Sequence, residues 1–311
     1  MSVEAKTNSP SRKLWKSLLG LIALISMIWT IWATTKSYEG PSLTFPKLWL
    51  YLLILSPFIV LAKVSAWFQL TQGLGIAISI GKTLEACLLS ILGRYIPGKV
   101  FFVLGRLQAY GLKGEALRLG SFGMIVEFIF ETMAGGALLM LALTMGYFSG
   151  TSANYLWGLS GLVLSFGLFS PSILRKFSHL HPRLSVTLPS QGNLVNLILI
   201  PLFATLIHWA FYLCSLYLWM GDHLNLSPEF MLAVGAILSF ASLLGTLSLI
   251  TPGGIGVREG LATLGFTAIG LDWQQGLALA FAARCILWVS EIFCGGIWFF
   301  LSRPSTRVPK D

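Results

Sequence analysis

The sequence has few charged residues and few cysteines for its length. Charged side chains make up 11% of the 311 residues, against roughly 25% in soluble domains. The four cysteines lack metal-ligand spacing, and the sequence contains no Walker, HExxH or CxxC motif. Nucleotide hydrolysis, zinc-protease chemistry and dithiol redox chemistry therefore have no support in the sequence. We expect neither a cofactor nor a metal site.

Apolar residues are abundant in the sequence. They make up 55% of the chain, and the mean hydropathy is +0.78. Several apolar runs approach or exceed the ~20 residues that a helix needs to cross a bilayer. The sequence therefore predicts an all-α, polytopic membrane protein with about eight transmembrane helices plus a re-entrant hairpin. Residues 1–311 would form a single membrane domain.

The basic residues indicate how the chain is oriented. A net charge of +9 in a soluble protein would suggest nucleic acid as a partner. Here basic residues flank the first and last apolar runs, at Lys6, Arg12, Lys13, Arg303, Arg307 and Lys310. We expect the protein in the plasma (inner) membrane. The positive-inside rule then places both tails, 1–13 and 302–311, in the cytoplasm. The expected partners are membrane lipids and not nucleic acid.

Two stretches interrupt the apolar helices with proline, glycine and basic charge. They are Gly93 to Lys99 and Thr251 to Gly260, with breaks predicted at Pro97, Gly98, Pro252, Gly253, Gly254 and Gly256. Paired broken segments are typical of transporters built from inverted repeats, which this chain would resemble. A helix beginning near Ile255 would point its amides at an anion beside Arg258. The alternative is a tight turn with a local salt bridge between Arg258 and Glu259.

Ionisable side chains within apolar spans are costly and normally face the interior of the helix bundle. Glu127 and Glu131 are four residues apart and share a helix face, as do Arg284 and Glu291 at a spacing of seven. The candidate binding set is Arg94, Tyr95, Lys99, Arg106, Glu127, Glu131, Arg258, Glu259, Arg284 and Glu291. Two interpretations stay open: static ion pairs that fix helix register, or a pathway for a substrate or proton. His208 is expected to hydrogen-bond within the bundle.

The count of spans depends on one segment, Ile255 to Leu271. Two cytoplasmic termini require an even number of crossings, so this segment should cross the membrane. If it returned to the same side instead, the basic C-terminal tail would lie on the opposite side from the basic N-terminal tail. We predict that it crosses.

The residues around both breaks resemble those of a known family. Gly93-Arg94-Tyr95-Ile96-Pro97-Gly98-Lys99, with Gly105-Arg106 after it, is similar to the first signature of the lysylphosphatidylglycerol synthetase transmembrane (flippase-like) family. Pro252-Gly253-Gly254-Ile255-Gly256-Val257-Arg258-Glu259-Gly260 resembles its second signature. Glu127 matches the acidic position of that family, and Arg284 also fits. The resemblance extends from about Leu14 to Leu301 and covers most of the 311 residues.

The resemblance implies an inner-membrane domain of the kind that moves lysyl-lipid between leaflets in aminoacyl-lipid synthases. Those synthases carry a soluble aminoacyltransferase domain after the membrane part, and we expect this chain to act without one. The predicted function is to bind and translocate a lipid with a charged headgroup, either a phospholipid (anionic or aminoacylated) or a glycolipid. The alternative is a membrane-embedded glycosyltransferase-type enzyme, or an accessory protein, acting on a lipid-linked substrate. The oligomeric state is left open, with a homo-oligomer as one option.

Overall fold

A computed structural model describes residues 46–93, 106–107, 110, 114–148, 156–157, 159–163, 194–247, 254 and 256–301. The helices with described bounds are α1 (Pro46–Gly73), α2 (Ile80–Gly93), α3 (Gly114–Thr144), α4 (Leu194–Leu224), α5 (Phe230–Leu247), α6 (Val257–Ala268) and α7 (Trp273–Leu301). Residues 156–157 and 159–163 are also helical. The predicted all-α, polytopic membrane fold is confirmed.

Four of these helices are long and apolar enough to cross a membrane. The candidate spans are Ile54–Gly73, Leu117–Thr144, Ile198–Leu224 and Trp273–Trp298, of 20 to 28 residues each. Their outward faces carry large exposed apolar side chains, including Leu61, Ile125, Phe203 and Ile292. Exposure of these faces to water would be unfavourable, whereas lipid tails are as apolar as the side chains themselves.

The bundle has two ends, which we name by the residues found there. At the hairpin end, α1 ends at Gly73. The first turns of α3 lie beside this end of α1, because Gly123 lies against Leu74 and Trp67. At the Tyr147 end, the chain beyond α3 meets the turn between α4 and α5, where the Tyr147 hydroxyl lies 3.2 Å from that of Ser227. Helices α3 and α4 therefore both run toward the Tyr147 end, and α1 runs the opposite way.

Helix α2 enters the bundle from the hairpin end and stops inside it. Its 14 residues rise about 21 Å, which is less than the ~30 Å of a bilayer core. Gly81 packs against Trp298 near the end of α7, while Ser90 reaches Arg106 in the interior. The chain is back at the hairpin end by Gly114, as a re-entrant hairpin requires. The predicted first break, at Pro97 and Gly98 with Arg94, Tyr95 and Lys99, lies outside the described residues.

Helix α6 runs antiparallel to α5 and returns the chain to the Tyr147 end. Gly245 of α5 lies against Arg258, and Ile237 lies against Gly265. The segment 255–271 thus runs in the direction that the predicted crossing requires. The helix itself has 12 residues and a length of about 18 Å, so it is too short to cross alone and begins inside the bundle. Residues 248–253, with Pro252 and Gly253, lie outside the described part.

The two spans that follow a short helix run in opposite directions. Helix α3, after α2, runs toward the Tyr147 end, whereas α7, after α6, starts there and runs toward the hairpin end. The short helices themselves run the same way, since α2 enters from the hairpin end and α6 runs to the Tyr147 end. An inverted repeat would require both the short helices and the spans to be opposed, so these helices do not show the expected repeat.

Two apolar clusters hold the bundle together, one toward each end. The cluster toward the Tyr147 end joins α3 to α7 around Leu216, Met220 and Phe266, which are all fully buried. The cluster toward the hairpin end joins α1, α2 and α3 around Trp67 and Phe130. Between them the chain leaves a polar space.

Close packing of α3 on α5 depends on Gly135. A Cβ added there would lie 2.6 Å from the Cβ of Ser239 and closer still to its hydroxyl oxygen. Gly135→Ala should therefore lower the stability by about 1–3 kcal/mol relative to Gly296→Ala. Gly296 is the matched control, because it is also helical and a Cβ added there meets nothing within 4 Å. Thermal unfolding in detergent measures the difference, and equal melting temperatures for the two variants would contradict this packing.

Candidate functional site

A cavity of about 180 Å³ lies between the helices. All seven described helices contribute to its wall, together with the segment that contains Arg106. Among the described residues, six charged side chains line it: Lys63, Arg106, Glu127, Glu131, Arg258 and Glu291. Its other polar groups include His208, Tyr212 and Ser239.

The cavity lies at the mid-height of three candidate membrane spans. Lys63 is in the middle of the span Ile54–Gly73, and Glu131 is in the middle of Leu117–Thr144. His208 falls near the middle of a third span, Ile198–Leu224. Ionised groups at this depth are expensive and are typical of substrate or ion pathways.

Lys63 and Glu131 form an ion pair across the cavity wall. The Nζ of Lys63 lies 3.0 Å from Oε1 of Glu131, and the indole N–H of Trp209 donates to Oε2 over 3.1 Å. One turn earlier on α1, the carbonyl oxygen of Ile59 lies 2.9 Å from Nδ1 of His208, so the expectation that His208 hydrogen-bonds within the bundle is confirmed. The two side chains keep 30% and 26% of their surface exposed. The pair is therefore reachable from the cavity.

Arg106 and Glu127 form a second ion pair, which is more deeply buried than the first. The Nη1 of Arg106 donates to Glu127, and its Nε donates to the hydroxyl of Ser90 over 3.3 Å. The guanidinium also sits 4.6 Å from the ring centre of Trp67, which gives a cation–π contact. The Arg106 side chain is 2% exposed. This arginine is held on several sides, and Glu127 presents the more accessible part of the pair.

The second break positions a third ion pair beside the cavity. Gly254 and Gly256 have φ of +70° and +80°, and a side chain on Gly254 would meet the carbonyl of Gly245. Glu259 accepts the Gly256 N–H over 2.8 Å and lies 3.3 Å from Nη1 of Arg284 on α7. The positive end of α6 is thus occupied by a carboxylate of the chain itself. The ion-pair partner of Glu259 is on another helix.

The structure brings most of the predicted binding set together. Arg106, Glu127, Glu131, Arg258 and Glu291 line the cavity. Glu259 and Arg284 pair next to it, so Arg284 and Glu291, predicted to share a face, have different surroundings. Arg94, Tyr95 and Lys99 lie outside the described residues.

Two residues of the site were missed by the sequence analysis. Lys63 is the sole charged residue of the span Ile54–Gly73, and the criterion that selected Glu127 would have found it. Trp209 carries no signal of its own, since it is one of eleven tryptophans in an apolar chain. In the described part of the chain, no group of three His, Cys, Asp or Glu side chains is placed to hold a metal ion.

Comparison with known proteins identifies the family of the chain. The model of the family described as Lysylphosphatidylglycerol synthase TM region matches residues 14–295. The chain belongs to this family. No curated protein and no solved structure matches the chain. The protein is therefore a multi-pass integral membrane protein of a family connected with lipid handling.

In this member of the lysylphosphatidylglycerol synthase TM family, the described charges of the cavity are balanced. Three cationic side chains (Lys63, Arg106, Arg258) face three carboxylates (Glu127, Glu131, Glu291). Balanced charge lowers the cost of holding ionised groups in a low dielectric. An ionic ligand can enter such a site by exchanging partners with an existing pair.

The pair of Glu259 and Arg284 should be a main determinant of stability. Both side chains are largely buried, with 12% and 5% of their surface exposed. Glu259→Gln should lower the unfolding free energy by about 3–5 kcal/mol, because it removes the carboxylate from a buried guanidinium. Adding Arg284→Met to it should recover part of the loss.

Thermal unfolding of the single and double variants in detergent measures this effect. Glu229→Gln is the matched control, since Glu229 is exposed at the turn between α4 and α5. A Glu259→Gln variant that melts at the temperature of the control would show that this pair contributes nothing.

Proposed function

We propose that this protein binds a lipid by its charged headgroup in the central cavity and moves it between the two leaflets. The observation that carries the proposal is a charged cavity at the middle of three membrane spans, lined by Lys63, Glu131 and His208. A headgroup that changes leaflet must pass this depth, where bare hydrocarbon would exclude it. Transporter binding sites commonly lie near the midplane for the same reason.

The side chains of the cavity suit a headgroup with ionic groups. Lys63 and Arg258 can bind a phosphate or carboxylate. Glu127, Glu131 and Glu291 can bind an ammonium group or sugar hydroxyls. These groups support a phospholipid or a charged glycolipid as the substrate, with its acyl chains left in the surrounding bilayer. Binding by exchange of ion-pair partners needs no chemical step, which favours transport over catalysis.

The arrangement of the helices supports movement around this site. Helix α1 packs most extensively on α4, and α3 packs most extensively on α5. These two groups meet across the cavity, where Glu131 of α3 contacts Lys63 of α1 and Trp209 of α4. Both short helices contribute to the cavity wall, with Cys87 from α2 and Arg258 from α6. Broken segments of this kind let half-bundles rock about a central site.

The distribution of basic residues supports a cytoplasmic hairpin end. The turns at the Tyr147 end, 145–148, 225–229 and 269–272, contain no lysine or arginine. By contrast, Arg175, Lys176 and Arg183 precede α4, which begins at the hairpin end. By the positive-inside rule we orient the hairpin end, and with it both termini, toward the cytoplasm.

The transport role predicts the effect of two neutral substitutions. The purified protein would be reconstituted in liposomes, and lipid movement would be followed with a headgroup reagent that reacts only in the outer leaflet. Arg258→Gln and Glu127→Gln should each slow translocation by roughly 10- to 100-fold, because each removes a charged hydrogen-bonding partner worth ~1.5–3 kcal/mol.

Matched controls lie on the exposed surface of the same protein. Arg118→Gln and Glu85→Gln make the same changes of charge at exposed positions that do not line the cavity. They should leave the rate unchanged. If the cavity variants translocate lipid as fast as these controls, the site is assigned to the wrong residues.

A further inference from the structure

The ion pair between Lys63 and Glu131 is more accessible than the other described pairs near the cavity. Its side chains are 30% and 26% exposed, against 2% and 14% for Arg106 with Glu127, and 5% and 12% for Arg284 with Glu259. A ligand in the cavity can therefore reach both partners of this pair without first displacing the packing around them. In the other two pairs the cation is shielded by the protein.

Glu131 is held by groups from two other helices. Its Oε1 contacts Lys63 on α1, and its Oε2 accepts the N–H of Trp209 on α4. The other titratable or charged groups that face the same cavity are Cys87 on α2, Arg106, Glu127 on α3, His208 and Tyr212 on α4, Arg258 on α6 and Glu291 on α7. From α5 the wall receives the hydroxyls of Ser239 and Ser242.

We propose that Lys63 binds the phosphate of the lipid headgroup, and that Glu131 takes up one proton when the phosphate displaces it. This inference rests on the proposed lipid-binding function. The phosphate oxygen takes the place of the carboxylate oxygen beside the Lys63 ammonium. A proton from water then adds to the Glu131 carboxylate, so one negative charge and one proton enter the cavity together.

The physical reason is the cost of an unpaired charge at this depth. A carboxylate that loses its counter-ion in a low dielectric is neutralised instead of staying ionised. The Trp209 N–H still donates to the neutral carboxylic acid, so the acid keeps a hydrogen bond. Arg106 cannot serve as the exchanging cation, because Glu127, Ser90 and Trp67 enclose its guanidinium. The charge balance of the cavity is therefore the same before and after binding.

This exchange couples lipid movement to protons. An anionic headgroup that crosses with one proton carries no net charge across the membrane. A difference in pH between the two sides then drives the lipid in one direction, and no nucleotide site is needed for that.

Binding of a short-chain lipid at several pH values tests the exchange. The protein, in micelles of a phosphate-free maltoside detergent, is titrated calorimetrically with dihexanoylphosphatidylglycerol at pH 6, 7 and 8. The charge of this phosphodiester is constant over that range, so a pH dependence belongs to the protein. The wild-type affinity should rise on the order of tenfold for each unit by which the pH falls, as uptake of one proton requires.

The variants separate this mechanism from a structural role of the pair. Glu131→Gln should bind the lipid with an affinity that does not vary with pH and that exceeds the wild-type affinity at pH 8. Lys63→Met should bind about tenfold more weakly or worse, and Lys63→Arg should restore binding. His208→Asn should keep the pH dependence of the wild type. The double variant Lys63→Met with Glu131→Gln replaces the pair by neutral groups and serves as the folded reference for the single variants.

Three results would overturn the inference: weaker binding by Glu131→Gln than by the wild type, a pH dependence that persists in Glu131→Gln, or its loss in His208→Asn.

Glycerol phosphate and inorganic phosphate at a single pH show whether the site serves lipid. Equal affinity for these and for the lipid would assign it to free phosphate instead. If the wild type moves lipid but its affinity for the lipid does not vary with pH, only the proposed proton uptake by Glu131 is wrong. If it neither binds nor moves lipid, the proposed function fails.

Discussion

The carboxylate of Glu131 ties three membrane-spanning helices together at the centre of the protein. One oxygen contacts the ammonium of Lys63 on α1, and the other accepts the indole N–H of Trp209 on α4. Helix α3, which carries Glu131, otherwise packs mainly against α5. The polar cavity lies where these two groups of helices meet, so its shape depends on this one set of contacts.

A second carboxylate fixes the opposite wall. Glu259 accepts the N–H of Gly256, the residue that caps the start of α6, and pairs with Arg284 on α7. Because the helix begins inside the bundle, its N-terminal amides and its positive dipole end need a partner there. The chain supplies that partner itself, which leaves Arg258, the neighbouring residue, to face the cavity. The pair of Glu259 and Arg284 thus holds α6 against α7. The more exposed pair of Lys63 and Glu131 is accessible to a ligand.

The sequence predicted the charged residues better than it predicted their partners. Glu127, Glu131 and Glu291 were identified because a carboxylate within an apolar run must face the interior, and that argument needs no knowledge of the packing. The same argument applies to Lys63, the sole charged residue of the span Ile54–Gly73, which was not among the predicted residues. The pairing of Arg284 with Glu259 was not predictable from spacing, because it depends on how α6 lies against α7. That 255–271 crosses the membrane stays a prediction, since α6 has only 12 residues.

The central claim is that a lipid headgroup enters the cavity at the middle of the membrane. Photocrosslinking tests it most directly, with a phospholipid that carries a photoreactive group in its headgroup and with crosslinked peptides mapped by mass spectrometry. The account predicts crosslinks to the cavity-lining residues Val60, Lys63 and Val64 of α1 and Met124, Phe128 and Thr132 of α3. Crosslinks confined to the ends of the helices and to lipid-facing residues such as Leu61 and Ile125 would show that the headgroup stays outside, and would contradict it.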